Sequence, residues 1–87
     1  MNKSLAEYLS SQKADKPEVN DLRNLEAPEP MEKILLACTQ MPAGEYYLAH
    51  LPHAPNPLFP HLEMRGLKWK VFEEPDKSAL VLIWRSA

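Results

Sequence analysis

Three histidines, one cysteine and a run of glutamates are the groups in this 87-residue chain from which a reactive or binding site would be assembled. His50, His53 and His61 fall in one stretch. Imidazoles beside carboxylates hold zinc or iron, or move a proton near neutral pH, so these three are the residues expected to ligate a metal if one binds. The spacing His-x2-His-x7-His matches no established ligand pattern. The plainer reading makes them loop and helix-surface residues that pack on prolines or cap backbone groups, with no cofactor. Cys38 is the single cysteine, which excludes an intrachain disulfide and any multi-cysteine zinc or iron–sulfur site. Two glycines, Gly44 and Gly66, are too few for a phosphate-cradling loop, and no Ser-His-Asp order carries a recognisable nucleophile context.

Those groups must be positioned by a small framework. Hydrophobic residues at 45% and charged residues at 25% are ordinary for a globular domain, and the length admits one such domain. A net charge of -2 lacks the basic excess that phosphate-backbone binding uses, so nucleic acid is not expected as a partner. No run approaches the ~18 apolar residues of a membrane helix, and Met1-Asn2-Lys3-Ser4 lacks a signal-peptide core. A cytoplasmic protein with no membrane contact is expected.

Ser4-Leu5-Ala6-Glu7 fits a capping box, and Leu5, Tyr8 and Leu9 share a face, which predicts a short helix near residues 4–12. Alone it is below the ~12 to 15 residues that hold a helix in water, so residues 1–18 read as a mobile tail, with docking on the domain or a partner as the alternative. Ser10 to Glu18 has linker composition, and the domain spans residues 19–87.

Val19 to Leu25 is a weak strand candidate. Pro28 and Pro30 suit a first helical turn, Glu26, Glu29 and Glu32 complement the positive end of the helix dipole, and Met31, Ile34, Leu35, Cys38 and Met41 recur at helical spacing. A helix over about Pro28 to Met41 is expected, with Cys38 as a buried core residue. Glu45 to Leu51 reads as a strand, Pro57 to Arg65 as a second helix capped by Asn56 and stopped by Gly66, and Leu67 to Val71 as a third strand. Pro75 and Asp76 mark a turn, and the nearly continuous apolar run Ala79 to Trp84 predicts a strand interior to the sheet. Trp69 and Trp84 would stack bases or sugars if exposed, but core-facing or cross-strand positions suit them better.

The order β-α-β-α-β-β predicts an α+β fold, a two-layer sandwich with two helices on one face of a four-stranded mixed sheet. The first two strands then run parallel, and the chain leaves both at the same end. That arrangement brings Glu26, Ala27 and Glu29 near His50, His53 and Asn56, at the carboxyl end of the strands where open α/β sheets bind ligands. Glu26, Ala27, Glu29, His50, His53 and His61 are accordingly the candidate ligand or partner site. The acidic start of the helix should repel anions.

The run from Asp21 to Pro30, at a strand-to-helix junction, resembles the TusA-like or SirA-like sulfur-carrier family, which carries an Asp, then Gly-Leu, a variable residue and Cys-Pro-x-Pro. Asp21, Leu25, Pro28 and Pro30 match in register; Asn24 stands for the family's Gly and Ala27 for its sulfur-bearing Cys. The chain is more similar still to the domain of unknown function family numbered 2249, a Cys-lacking relative with Pro-Glu-Pro at the first helix and His-x-Pro-x-Pro-Leu after the second strand, here His53 to Leu58. The resemblance implies a TusA-like domain of bacterial type, in a family met beside haemerythrin-like and nitrogen-oxide metabolism proteins.

Sulfur carriage needs a thiolate, which a helix N-terminus favours. Ala27 has no sulfur, and Cys38 lies eleven residues on, ~16 Å along the helix and towards its negative end. The expected function is thus a non-enzymatic binding or accessory module, for which the resemblance implies a link to redox or nitrogen-oxide metabolism; the alternative is a His-centred metal or small-ligand binding protein. A protein partner or homodimer is expected to use an exposed sheet face or edge carrying Tyr46, Tyr47 or Phe72.

Overall fold

Strand alternation decides which residues meet which helix. The computed structural model describes residues 5–11, 17–26 and 29–85. It contains α1 (Leu5–Ser11), β1 (Val19–Asp21), α2 (Glu29–Thr39), β2 (Tyr46–Leu51), a 3-10 turn (Asn56–Leu58), α3 (Phe59–Met64), β3 (Leu67–Glu73) and β4 (Ala79–Arg85). The sheet order is β1-β2-β4-β3, with β1 parallel to β2 and the other pairs antiparallel. The expected four-stranded mixed sheet is therefore present, and β4 is interior as its unbroken apolar sequence requires.

Odd-numbered positions of β2, β3 and β4 face α2 and α3. Ala49, Leu51, Leu67, Val81 and Ile83 form one core with Ile34 and Cys38 of α2 and Leu58 and Leu62 at α3. Both helices lie on this face, as expected, and the Cys38 thiol is fully buried. Burial pushes its pKa up to about 11, with the Arg85 guanidinium opposing part of that rise. At neutral pH Cys38 is a protonated, enclosed thiol. Its alkylation should proceed only at the rate of global unfolding; labelling of the native protein at the rate of an exposed thiol would contradict the burial.

Even-numbered positions form a second core on the opposite face. Leu48, Phe72 and Leu82 pack there against Leu5 and Leu9, which are only 7% and 3% exposed. Leu5–Ser11 is thus docked on the domain, the alternative to a mobile tail, and it covers part of the sheet face opposite α2 and α3. Local sequence could not show this, because the surface that shelters the helix is built from β2, β3 and β4 together. Ser4 of the expected capping box lies outside the described residues.

The ends of the elements differ in instructive ways. β1 has three residues because the chain turns at once: Asp21 Oδ1 accepts from the Arg23 backbone N–H at 3.1 Å, an Asx turn. Asn56 does not cap α3. It opens the 3-10 turn that precedes the helix, since Pro57 and Pro60 remove amides from consecutive turns. Gly66 ends α3 at φ +71, the left-handed conformation glycine adopts most readily, with its N–H on the Glu63 carbonyl at 3.0 Å.

A single side chain from β4 closes both helices. Arg85 Nε donates to the Met41 carbonyl at 3.0 Å, one terminal nitrogen to that of Cys38 at 3.0 Å, and the other to that of Arg65 at 3.2 Å. These carbonyls sit at the C-terminal ends of α2 and α3, where a cation also meets the negative end of each dipole.

The β3–β4 connection places Pro75 in a turn closed by the Lys77 N–H on the Glu74 carbonyl, followed by Lys77 at φ 71. That is the position glycine favours in such hairpins. Lys77→Gly should raise stability by about 0.5 to 1 kcal/mol, read as a higher urea midpoint. A lower midpoint would mean that the lysine makes a contact outweighing the backbone strain.

Candidate functional site

The parallel pair β1–β2 delivers two loops to the same end of the sheet, and the sheet divides what they carry. On the α2 face, Leu25, Pro30, Met31 and Ile34 meet Leu51, Pro52, His53, Pro55 and Pro57 around a hollow of about 190 Å³. Its walls are apolar side chains and pyrrolidine rings, and prolines present rigid surface with no free amide. His53 is the sole ionisable lining residue. Its Nδ1 lies 3.3 Å from the Ala54 carbonyl, which can only accept, so Nδ1 is the donor in that contact. Glu26 and Glu29, next in the chain to the lining residues Leu25 and Pro30, are exposed.

On the α1 face, strand alternation points His50 away from that hollow. Its Nε2 is 2.8 Å from Ser78 Oγ, and Ser78 Oγ donates to Asp76 Oδ1 at 2.5 Å. A serine hydroxyl has one proton, and the ionised carboxylate can only accept it. Nε2 of His50 must therefore carry a proton and donate to Ser78. This polarity is the reverse of an activated nucleophile, so the trio is a structural relay that ties β2 to the β3–β4 turn.

Beside it Asp21 forms a bidentate pair with Arg23, both bonds 2.8 Å. The Arg23 hydrogen bonds hold the Asp21 carboxyl well below the usual carboxylate range, and those from Ser78 lower Asp76; the charge of His50 contributes to both. Depressed folded values mean that these groups stabilise the fold above the ordinary aspartate range, near pH ~4, and that the contribution disappears as pH falls through the folded values. The urea midpoint of Asp76→Asn should thus lie below that of the native chain at pH 7, and the gap should close towards pH 2. A gap unchanged with pH would show that the carboxylate charge is irrelevant.

The structure consequently separates the expected site residues. His53 lines the hollow, His50 lies across the sheet, and His61 is on the exposed side of α3, its carbonyl accepting from Arg65 at 3.0 Å. Among the described residues no group of three His, Cys, Asp or Glu side chains is placed to hold a metal ion. The reason is geometric: successive side chains of a strand alternate between its faces, so His50 points to the face opposite Ala49 and Leu51, and His53 lies beyond the end of β2, past Pro52. Ala27 lies outside the described residues. Trp69 and Trp84 fall on opposite faces, the first stacked on Phe59 at 5.3 Å and the second against Tyr46 and Tyr8.

Sequence reasoning missed the prolines as a wall and missed Asp76 and Ser78 as partners of His50. The four prolines between Pro52 and Pro60 were visible, whereas the pairing of residues 28 apart in the chain depends on sheet register.

Fold and site together define a small α+β domain of SirA-like architecture with a proline-walled hollow where two parallel strands end. A SirA-like protein from Desulfitobacterium hafniense has the same fold, with a TM-score of 0.69 at 17% identity over 79% of this chain and 97% of that one. The profile of the uncharacterised conserved proteins designated DUF2249 matches residues 19–85, and the chain belongs to that family. No curated protein matches the chain. No helix among the described residues is long and apolar enough to cross a membrane.

Proposed function

We propose that this domain is a non-enzymatic binding module whose hollow receives one apolar side chain of a partner protein, flanked in that partner by basic residues. The observation that carries this reading is the hollow itself. At about 190 Å³ it falls below the ~300 Å³ at which small-molecule pockets begin, yet it suits a leucine or methionine side chain. Rigid prolines keep such a site open at little entropic cost. The exposed Glu26 and Glu29 favour lysine or arginine on either side of the inserted residue. His53 supplies one polar group to the lining.

The absence of sulfur chemistry is part of the same reading. In the resemblance to sulfur carriers Ala27 stands where they have their reactive cysteine, and Cys38 is buried with its thiol protonated. Incubation with a cysteine desulfurase should leave the intact mass unchanged; a sulfur adduct that turns over would overturn the non-enzymatic assignment.

Binding is tested by NMR titration with a short peptide carrying leucine between two lysines, against a control with glutamates in their place. Shifts should be confined to Leu25, Met31, Leu51 and His53, and Met31→Lys should remove them. Equal responses to both peptides, or none, would refute the site.

A further inference from the structure

We propose that the sheet face beneath α1 is a docking surface for an acidic amphipathic helix of a partner protein, with α1 as its resident substitute. Leu5, Tyr8 and Leu9 recur at i, i+3 and i+4, the spacing by which a helix lays one stripe into an apolar groove. Leu5 and Leu9 are buried on Leu48, Leu82 and Phe72. Tyr8 stands 5.9 Å from the Phe72 ring and 6.0 Å from that of Trp84, with Lys70 Nζ 5.4 Å above it.

The described residues of α1 do not seal the whole of this face. Tyr46 and Trp84, paired at one end, and Leu80, paired with His50 towards the other, remain only partly covered. A helix of three or four turns with the same stripe would reach them and bury more surface than α1 does. Displacing α1 exposes Leu5 and Leu9, and the incoming stripe offsets that cost by burying the same face.

Charge selects the partner's flank. Lys68 and Lys70 point to this same face, opposite Trp84 and Leu82, and both are exposed. Lys68 has no ion-pair partner among the described residues, and the described part of α1 offers Glu7 as its single acid. A helix with glutamates along one edge complements that lysine pair; a second copy of α1, whose described part brings Glu7 alone, complements it less well.

The test uses the full chain and a synthetic peptide of about five turns that repeats the Leu-x2-Tyr-Leu stripe with glutamates along its edges, followed by the change in tryptophan fluorescence. Leu9→Asp, which frees the groove, should tighten binding at least tenfold over the native chain, because a site occupied by its own helix is available only for the fraction of time that helix is off. Lys68→Glu combined with Lys70→Glu should weaken binding at least tenfold, and a peptide edged with lysines should not compete. If Leu9→Asp fails to fold, Tyr8→Ala should give the same ordering with a smaller ratio. Equal affinity of native and groove-freed chains, indifference to the two lysines, or no binding would each overturn the proposal. So would self-association through exchange of α1 without peptide binding, which would assign the face to a second copy.

Discussion

Arg85→Ala is expected to lower stability by about 3 kcal/mol and to loosen the ends of two helices at once. The guanidinium serves three carbonyls, those of Cys38, Met41 and Arg65, and hydrogen bonds from a charged donor are worth about 1.5 to 3 kcal/mol each before water replaces part of them. A core of this size rarely supplies more than ~3 to 5 kcal/mol, so the variant should sit near its unfolding midpoint at ordinary temperature. Two readouts check it: the urea midpoint, and faster amide exchange in the last turns of α2 and α3 but not in β2. Arg85→Lys should recover less than half of the loss, because a single ammonium cannot span acceptors on two helices. Full recovery by lysine would reduce the residue to a point charge near two dipoles.

Leu9→Asp should have an effect of similar size by another route. A carboxylate cannot stay at a position 3% exposed on Leu48 and Leu82, so α1 leaves the sheet. The loss is about 2 to 4 kcal/mol, from two leucines at about 1.5 to 3 kcal/mol each less the ordering of the helix that undocking returns. The uncovered face should bind a hydrophobic dye, while the α2 face keeps its contacts and Cys38 stays closed to alkylation at low denaturant. Unfolding of the whole chain in one step would instead show that the two faces of the sheet are a single cooperative unit.

Much of the fold was legible because local pattern and global topology agree. The spacing of Met31, Ile34, Cys38 and Met41 named the buried side of α2, and the apolar run from Ala79 marked the strand that is covered on both faces. What remained hidden depends on register. Leu5 and Leu9 read as surplus apolar residues until β2, β3 and β4 place Leu48, Phe72 and Leu82 side by side. Arg85 looked like a charge closing an apolar strand, since nothing local says that its fork reaches carbonyls more than forty residues away. The histidines show the limit for the site. Their closeness in sequence suggested one cluster, but alternation in β2 and the bend at Pro52 send His50 and His53 to different surfaces.

The sheet order has a consequence for how the chain is made. Among the described residues β3 pairs with no strand but β4, and β2 needs β4 on its second edge, yet β4 follows both in the order of synthesis. A nascent chain therefore carries β2 and β3 as open, apolar edges until β4 emerges, with only the three-residue β1 available to shield one of them. During that interval Lys68 and Lys70 on β3 act as gatekeepers, keeping the exposed strand soluble until its partner arrives.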